Sequence, residues 1–333
     1  MDKFISVVIP TFNNEDTIEE CLKSIFSNEN APKFEVIVVD GGSTDRTVEI
    51  VKQFPVRTPK LRESGRIYHA ESVNYGVSQA LGEIIAFTDA DVRVEKNWLS
   101  VLSKHFDDPH IAGVGGPNIT PNDEPFWPKC FGILMESFLG GAGARNTAIY
   151  KNIREVDHNP PVNSALRKID FMEVGGQGET VGPADDTVLD AKIRRRGRKL
   201  IYDPTMIVWH HRRKTLKSFL WQLFLYGRGR ASVFLKYPES LPLTYFCVAA
   251  FAAGTILTIP LYIFFGLLRP IIIFGWSAYL LFILSASLFI SIQKRRYILV
   301  PILLVLAILE HFTLGIGFLT GLINPYNGPD NGR

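Results

Sequence analysis

Asp89 and Asp91 stand one residue apart where an apolar run, Ile84-Ile85-Ala86-Phe87, ends. Two carboxylates so spaced offer hard oxygen ligands to Mg2+ or Mn2+, and such an ion bridges phosphates. The competing reading is a polar turn in which an aspartate caps the next helix. A second acidic pair, Asp185-Asp186, opens a helical pattern that runs through Leu189 and Ile193 to Arg194, Arg195 and Arg196. Alone, that pair reads as helix-start acids that complement the dipole. Adjacent side chains on a helix diverge, so only one of the two can serve a given substrate atom. Asp40 ends another apolar run, where a carboxylate can accept from a base N–H or a ribose hydroxyl. His210-His211 follow the run Ile207 to Trp209. Neutral imidazole is a good metal ligand, although a histidine pair is more often structural.

The elements that must carry these groups are legible as periodicities. Phe4 to Ile9 is a strand pattern closed by Pro10, and a helix capped by Asp16 or Thr17 follows with Ile18, Cys21, Leu22 and Ile25 on one face. Phe34 to Val39 is a second strand, then Gly41-Gly42-Ser43-Thr44-Asp45 and a helix with Val48, Ile50 and Val51. This β-α-β-α order with short loops predicts a right-handed parallel sheet. Ser72 to Leu81 reads as a helix, Ile84 to Phe87 as a strand covered on both faces, Trp98 to Phe106 as a helix, and Ile111 to Gly116 as a strand. Ligands of open α/β sheets bind at the carboxyl ends of strands, where Asp40, Asp89 and Asp91 lie. Neither G-x-G-x-x-G nor a P-loop lysine is present. Arg57, Lys60, Arg62 and Arg66 form a basic loop that is solvated or touches a diphosphate. Pro125 to Gly143 reads as an unusually apolar loop, either core or a surface for lipid or a lipid-borne acceptor.

Four blocks together resemble glycosyltransferase family 2. They are Val7-Val8-Ile9-Pro10-Thr11-Phe12-Asn13, then Val38-Val39-Asp40-Gly41-Gly42-Ser43-Thr44-Asp45-Arg46-Thr47, then Asn74-Tyr75-Gly76 with Ala80 and Gly82, and Asp89-Ala90-Asp91. The order and spacing match over residues 1–95, and the D-G-G-S-T-D-x-T run is the most specific piece. Val73 stands where the family often has a basic residue. The resemblance implies a GT-A type nucleotide-sugar-binding fold with a mostly parallel sheet. It places Pro10, Thr11, Asn13, Asp40, Gly41, Asn74, Asp89, Ala90 and Asp91 on the donor, with Thr11 and Asp40 at the base and ribose. Asp91 would hold Mn2+ or Mg2+ on the diphosphate, Asp89 would reach the ribose or the metal, and His210 would be a further metal or diphosphate contact. Asn163 to Arg167 resembles the acceptor-side strand. The family's general base is the aspartate of an acidic pair, which aligns with Asp186; Asp185 is the alternative, because the pair here is Asp-Asp.

Composition adds a second region. The chain has 333 residues and a net charge of +3, which gives no indication of nucleic-acid binding. Three scattered cysteines, Cys21, Cys130 and Cys247, form neither a disulfide framework nor a metal motif, which fits a reducing compartment. The N-terminus opens on a strand pattern, from which no signal peptide is expected. Between Lys214 and Lys236, bulky apolar residues alternate with basic ones, as in a helix lying in the bilayer interface. Apolar runs follow at about 241–268, 270–292 and 298–323, the first two without charge, all long enough to span, and the first two as a hairpin. Lys294-Arg295-Arg296 and the basic residues from Arg212 to Lys236 are then cytoplasmic by the positive-inside rule, as is the catalytic part. Glu310 and His311 lie within the third run, where charge is costly and usually functional or paired.

The expected architecture is therefore α/β, a GT-A domain over 1–211, an interfacial helix over 212–238 and an all-α transmembrane region over 239–325. The expected activity is inverting, metal-dependent transfer from a nucleotide diphosphate sugar to a polyprenyl-linked acceptor at the cell membrane. A processive polysaccharide synthase is the alternative, which Gln222 and Arg228 only partly support because the Q-x-x-R-W spacing and tryptophan are missing. A non-catalytic sugar-nucleotide scaffold is the other, which the set Asp40, Asp89, Asp91 and Asp186 argues against.

Overall fold

A computed structural model of the protein describes residues 3–60, 68–140, 150–178, 184–241 and 243–325. Strands β1 (Ile5–Thr11), β2 (Phe34–Asp40) and β3 (Ile84–Thr88) pair in parallel in the order β2-β1-β3. Strand β4 (Val92–Val94) leaves this sheet, and β5 (Ile111–Gly115), β6 (Asn118–Ile119), β7 (Arg154–Glu155), β8 (Asn163–Arg167), β9 (Lys199–Tyr202) and β10 (Val208–His210) complete the set. The main sheet is seven-stranded, β2-β1-β3-β8-β5-β9-β7. Strand β8 runs antiparallel to both β3 and β5, and β7 antiparallel to β9, so β1, β2, β3, β5 and β9 all point one way. A small second sheet has the order β4-β10-β6.

Alternation along the strands sorts the core into two layers. On one face Val7, Ile9, Val36, Val38, Ile84 and Ala86 meet helices α1 (Ile18–Phe26) and, through Trp98, Leu99 and Leu102, α4 (Trp98–His105). On the other, Val8, Ile37, Val39, Ile85 and Phe87 meet α3 (His69–Gln79), α6 (Lys168–Glu173) and α7 (Asp185–Arg195). Val73 is buried in that second layer, where an apolar residue fits and a cation would not. A short helix, α2 (Thr47–Val51), follows the glycine-rich turn.

Three elements differ from the periodicity reading. Helix α3 begins at His69 instead of Ser72, because Glu71 Oε2 accepts the Tyr68 N–H at 3.3 Å and so satisfies a donor at the helix start. The segment expected as an apolar loop contains a helix, α5 (Phe126–Met135). Pro125 and Pro128 suggest a breaker, but a proline in the first turn forfeits no intrahelical bond. The residues of the segment from 141 to 143 lie outside the described ones. The first long apolar run is not one helix: α9 (Thr244–Phe264) stops at Phe265, and a 3-10 turn over Gly266–Leu268 leads into α10 (Arg269–Gln293).

With α11 (Leu299–Ile323), the described residues hold three helices long and apolar enough to cross a membrane. Helix α8 (Leu216–Lys236) packs along α11, and small residues allow it. A Cβ on Gly227 would stand 2.1 Å from the Leu314 carbonyl oxygen, and one on Gly317 would stand 2.2 Å from that of Phe224. The apolar face of α5 joins this bundle: Phe131 stacks on Phe219 of α8 at 4.4 Å, and its neighbours pack with Ile283, Leu303 and Leu306. His311 ties the bundle to the loop after α5, with Nε2 3.1 Å from the Leu139 carbonyl oxygen and Nδ1 3.0 Å from the Tyr279 hydroxyl. Glu310 beside it is fully buried.

Candidate active site

Strand β3 delivers Asp89 and Asp91 to the carboxyl edge of the sheet, with buried Ala90 holding the turn between them. Neither aspartate caps a helix, since the next one begins at Trp98, beyond β4. Strand β4 pairs antiparallel with β10 so that Val92 faces His210, and the His211 N–H donates to the Asp91 carbonyl at 3.0 Å. This register sets His210 Nε2 3.3 Å from Asp91 Oδ1. One ligand atom each from Asp89, Asp91 and His210 lies within 4.8 Å of the others, and this is the one such cluster of three or more among the described residues. Two carboxylates and an imidazole suit Mn2+ or Mg2+ in charge and hardness. His210 Nδ1 lies 3.2 Å from Asn118 Oδ1; the tautomer that donates there turns the Nε2 lone pair toward the carboxylates.

Around the cluster are further groups, of which His69, Thr120 and Glu136 have no mark in the sequence. His69 Nε2 at the start of α3 is 3.6 Å from Asp89 Oδ1. Arg212, a buried guanidinium, reaches Thr120 Oγ1 at 2.9 Å and the Asn118 carbonyl at 2.9 Å, and lies 3.3 Å from His210 Nδ1. Glu136, at the end of α5, accepts from the Thr120 N–H at 2.6 Å and lies 3.5 Å from Arg212, so α5 is wired to the strand that supports His210. His211 points away, with Nδ1 2.8 Å from Glu124 and Nε2 3.3 Å from Glu20. Only the fold brings these residues together, and no spacing in the chain announces them.

Thr11 and Asp40 face each other across β1 and β2, and the two loops beyond them are laced together. Asp40 Oδ2 accepts the N–H groups of Gly42 and Ser43, each at 3.1 Å, and Gly41 N–H donates to the Thr11 carbonyl at 2.7 Å. Asn13, in the left-handed region at φ 54°, accepts the Thr44 N–H on its side-chain oxygen at 2.9 Å and donates its own N–H to Ser43 Oγ at 2.9 Å. Pro10 stands within β1, just before this rim. Arg57 of the basic loop pairs with Glu35 and donates to the Gln79 carbonyl, while Arg62 and Arg66 lie outside the described residues.

Asn74 reaches across to the other side of the site. Its side-chain NH2 donates to the Gln177 carbonyl at 2.7 Å and its oxygen accepts the Gln177 N–H at 2.9 Å. It thereby clamps the turn of Gly175, Gly176 and Gly178, all at positive φ, where glycine is the residue that fits. Helix α7 carries Asp185 and Asp186 in its first turn. Asp186 Oδ1 accepts the Thr187 N–H at 2.8 Å, and Oδ2 lies 3.5 Å from His158 Nε2. The other ring nitrogen of His158, Nδ1, is 2.7 Å from Asp190 Oδ2, which also accepts the Asn159 N–H at 2.9 Å. Burial pushes the Asp190 carboxyl above its usual range, against the pull of these two hydrogen bonds and with the Asp186 charge adding to the rise. Since β8 runs against β3 and β5, His158 and Asn159, a few residues before it, fall at the sheet edge that carries Asp89 and Asp91.

Residues 6–131 match the family model described as glycosyl transferase family 2. The chain carries a glycosyltransferase family 2 domain. Relatives extend further along this glycosyltransferase than the family match. It is 27% identical to the dolichyl N-acetyl-alpha-D-glucosaminyl phosphate 3-beta-D-2,3-diacetamido-2,3-dideoxy-beta-D-glucuronosyltransferase of Methanococcus voltae, over 96% of this chain and 97% of that protein. It is 28% identical to the succinoglycan biosynthesis protein ExoA of Rhizobium meliloti, over 76% of this chain and 78% of that one. Among solved structures it resembles the mannosyltransferase PcManGT from Pyrobaculum calidifontis, determined with GDP-Man and Mn2+. The TM-score is 0.60 at 21% identity, with 97% of this chain and 88% of that chain covered. The fold is accordingly of the GT-A type, with a mixed, mostly parallel sheet followed by C-terminal helices. The family match contains Asp40, Asp89 and Asp91 but ends before Asp186 and His210, so those two stand on geometry and on the resemblance of the acidic pair.

Proposed function

We propose that this glycosyltransferase is inverting and metal-dependent, and that it moves a sugar from a nucleotide diphosphate sugar to a hydroxyl or phosphate of a polyprenyl-linked acceptor. The observation that carries the proposal is the Asp89, Asp91 and His210 cluster at the carboxyl edge of the sheet, in a molecule whose other end is a bundle of apolar helices. Thr11 and Asp40 take the base and ribose, with Pro10, Asn13, Gly41 and Ala90 shaping the donor rim and Asn74 holding the glycine turn behind it. Asp89, Asp91 and His210 hold Mn2+ or Mg2+, which when bound offsets the charge of the departing diphosphate. Asp186 is the base: one oxygen is fixed by the Thr187 N–H and the other faces His158, whereas Asp185 remains the alternative at the same helix start.

The lipid-linked acceptor has three supports. The relative from M. voltae is named for a dolichyl-phosphate-linked substrate. Helix α8 docks beside the acidic pair, with Val233 packed on Ala184 and Val188 and Arg230 bonded to Thr187 Oγ1. Half-exposed Phe126, Trp127, Phe138 and Trp221 on α5, its following loop and α8 extend the apolar surface of the spans toward the site. On this reading the catalytic domain, residues 1–211, and the turn at Lys294 to Arg296 are cytoplasmic. A panel of nucleotide sugars with Mn2+, scored by transfer of label into a chloroform-extractable polyprenyl phosphate sugar, tests it. Transfer from one donor, lost on chelation, is the expected result. Label appearing only as free sugar, or transfer indifferent to chelation, would sink it.

A further inference from the structure

Among the described residues, His158 joins the candidate base to a buried carboxylate. Its ring is half of a through-line from Asp186 Oδ2 (3.5 Å from Nε2) to Asp190 Oδ2 (2.7 Å from Nδ1). Asp186 and Asp190 lie one helical turn apart on α7, so both carboxylates meet the same face of the ring loop. Asp190 is buried and further fixed by the Asn159 N–H. A carboxylate so placed holds the Nδ1 proton and sets the tautomer, which leaves Nε2 with its lone pair toward Asp186. The Asp186 to Nε2 separation is longer than a made hydrogen bond, as is common where a bond tightens only with substrate present.

We propose that His158 is the positioning residue of the base: its Nε2 lone pair is held where it takes over the proton that Asp186 removes from the acceptor. The inference rests on Asp186 being the base. The acceptor O–H breaks as its oxygen bonds the anomeric carbon, and the anomeric carbon–oxygen bond of the donor breaks, its electron pair leaving on the nucleoside diphosphate. The proton passes from the acceptor to Asp186 and on to His158 Nε2, and the imidazolium so formed lies against the Asp190 carboxylate. Asp186 is thereby returned to its ionised form, and the ring later releases the proton to water. Asn159 and Asp190 fix the loop; they touch no reacting atom.

The test compares His158→Gln, His158→Ala and Asp186→Asn in the full-length protein with Mn2+ and the nucleotide sugar selected by the panel above. Turnover and donor Kd are measured separately, and thermal melting confirms folding. His158→Gln keeps a side-chain amide in place of the ring but cannot carry the proton. It is expected to lower kcat about 10–100-fold, the range typical of an outer partner of a catalytic group, with donor Kd unchanged. Imidazole added to His158→Ala is expected to restore part of the turnover. Turnover of His158→Gln within about twofold of the parent would overturn the inference, as would equal losses in kcat and donor affinity or a folded His158→Ala that imidazole does not restore. Asp186→Asn separates the two levels. Full activity in it removes the base assignment and this inference with it; an inactive Asp186→Asn beside a fully active His158→Gln leaves the base in place and removes only the relay. Should the His158 variants not fold, Asp190→Asn carries the same test: kcat must fall with donor Kd kept, and an unchanged kcat overturns it.

Discussion

Asp91 is adjacent to a strand, and that strand faces His210, a residue more than a hundred positions away. At the residue scale this removes a helix cap as the role of Asp91, because the helix that it might have capped begins only after β4. Asp91→Asn is expected to abolish Mn2+-stimulated transfer while changing stability by no more than about 0.5 kcal/mol, as for a partly exposed side chain outside the core. Calorimetry with Mn2+ and a transfer assay read the two effects separately. For the acidic pair, Asp186→Asn is expected to lower kcat by about 10²–10⁴-fold with little change in donor affinity. An inactive Asp185→Asn beside an active Asp186→Asn would instead place the base one residue earlier. Asp40, Asp89 and Asp91 stand out in the sequence because they end apolar runs, and Asp185 and Asp186 because they open a helical pattern. Their histidine partners were not: His69 and His158 sit in loops or at a helix start, with no periodicity to mark them, and only strand register and loop docking bring them in.

At the element scale, strands and helices were readable where burial imposes a period, as in β1, β2, β3 and α1. Helix α5 was not, because Pro125 at its N-cap and Pro128 in its first turn mimic a breaker while sitting where a helix tolerates them. The antiparallel insertion of β8 between β3 and β5 was also hidden, since an apolar strand carries no mark of its direction. The α8 to α11 contact depends on glycines whose added Cβ atoms would collide with carbonyl oxygens. Gly227→Val is expected to destabilise the protein by about 1–3 kcal/mol through overpacking, seen as a lowered melting temperature in detergent; an unchanged melting temperature would mean the helices separate freely. A pH effect belongs to the turn after β9. Burial pushes Asp203 up, but hydrogen bonds from His105 and Thr205 outweigh it and hold the carboxyl down at about 2 against an ordinary 3.8. A depressed carboxylate contributes stability that is present above 3.8 and lost as pH falls toward about 2. The melting difference between parent and Asp203→Asn should therefore be full above pH 4 or so and shrink below it; a difference independent of pH would contradict the pairing.

At the scale of the whole molecule, one sheet edge gathers the candidate metal ligands, the proposed donor rim and the acidic pair, and the apolar bundle meets that same side through α5 and α8. The separation of a charged two-thirds from an apolar third was plain in composition. Its docking was not, because it rests on ring stacking such as Phe131 on Phe219 and on one hydrogen bond from His311 to the loop after α5. On the charge reading, cysteines placed one at a time at Arg296 and at Asn324, with Cys21, Cys130 and Cys247 replaced by serine, should be labelled from opposite sides of the membrane, Arg296 from the cytoplasm. Labelling of both from the cytoplasm would leave only two true spans. The most direct measurement of metal-dependent transfer to lipid uses parent and Asp91→Asn side by side, with labelled nucleotide sugar, a polyprenyl phosphate sugar and Mn2+. The parent should carry label into the lipid phase and lose that ability with EDTA, and Asp91→Asn should carry none. Equal label in the lipid phase from both proteins would contradict the assignment of the site.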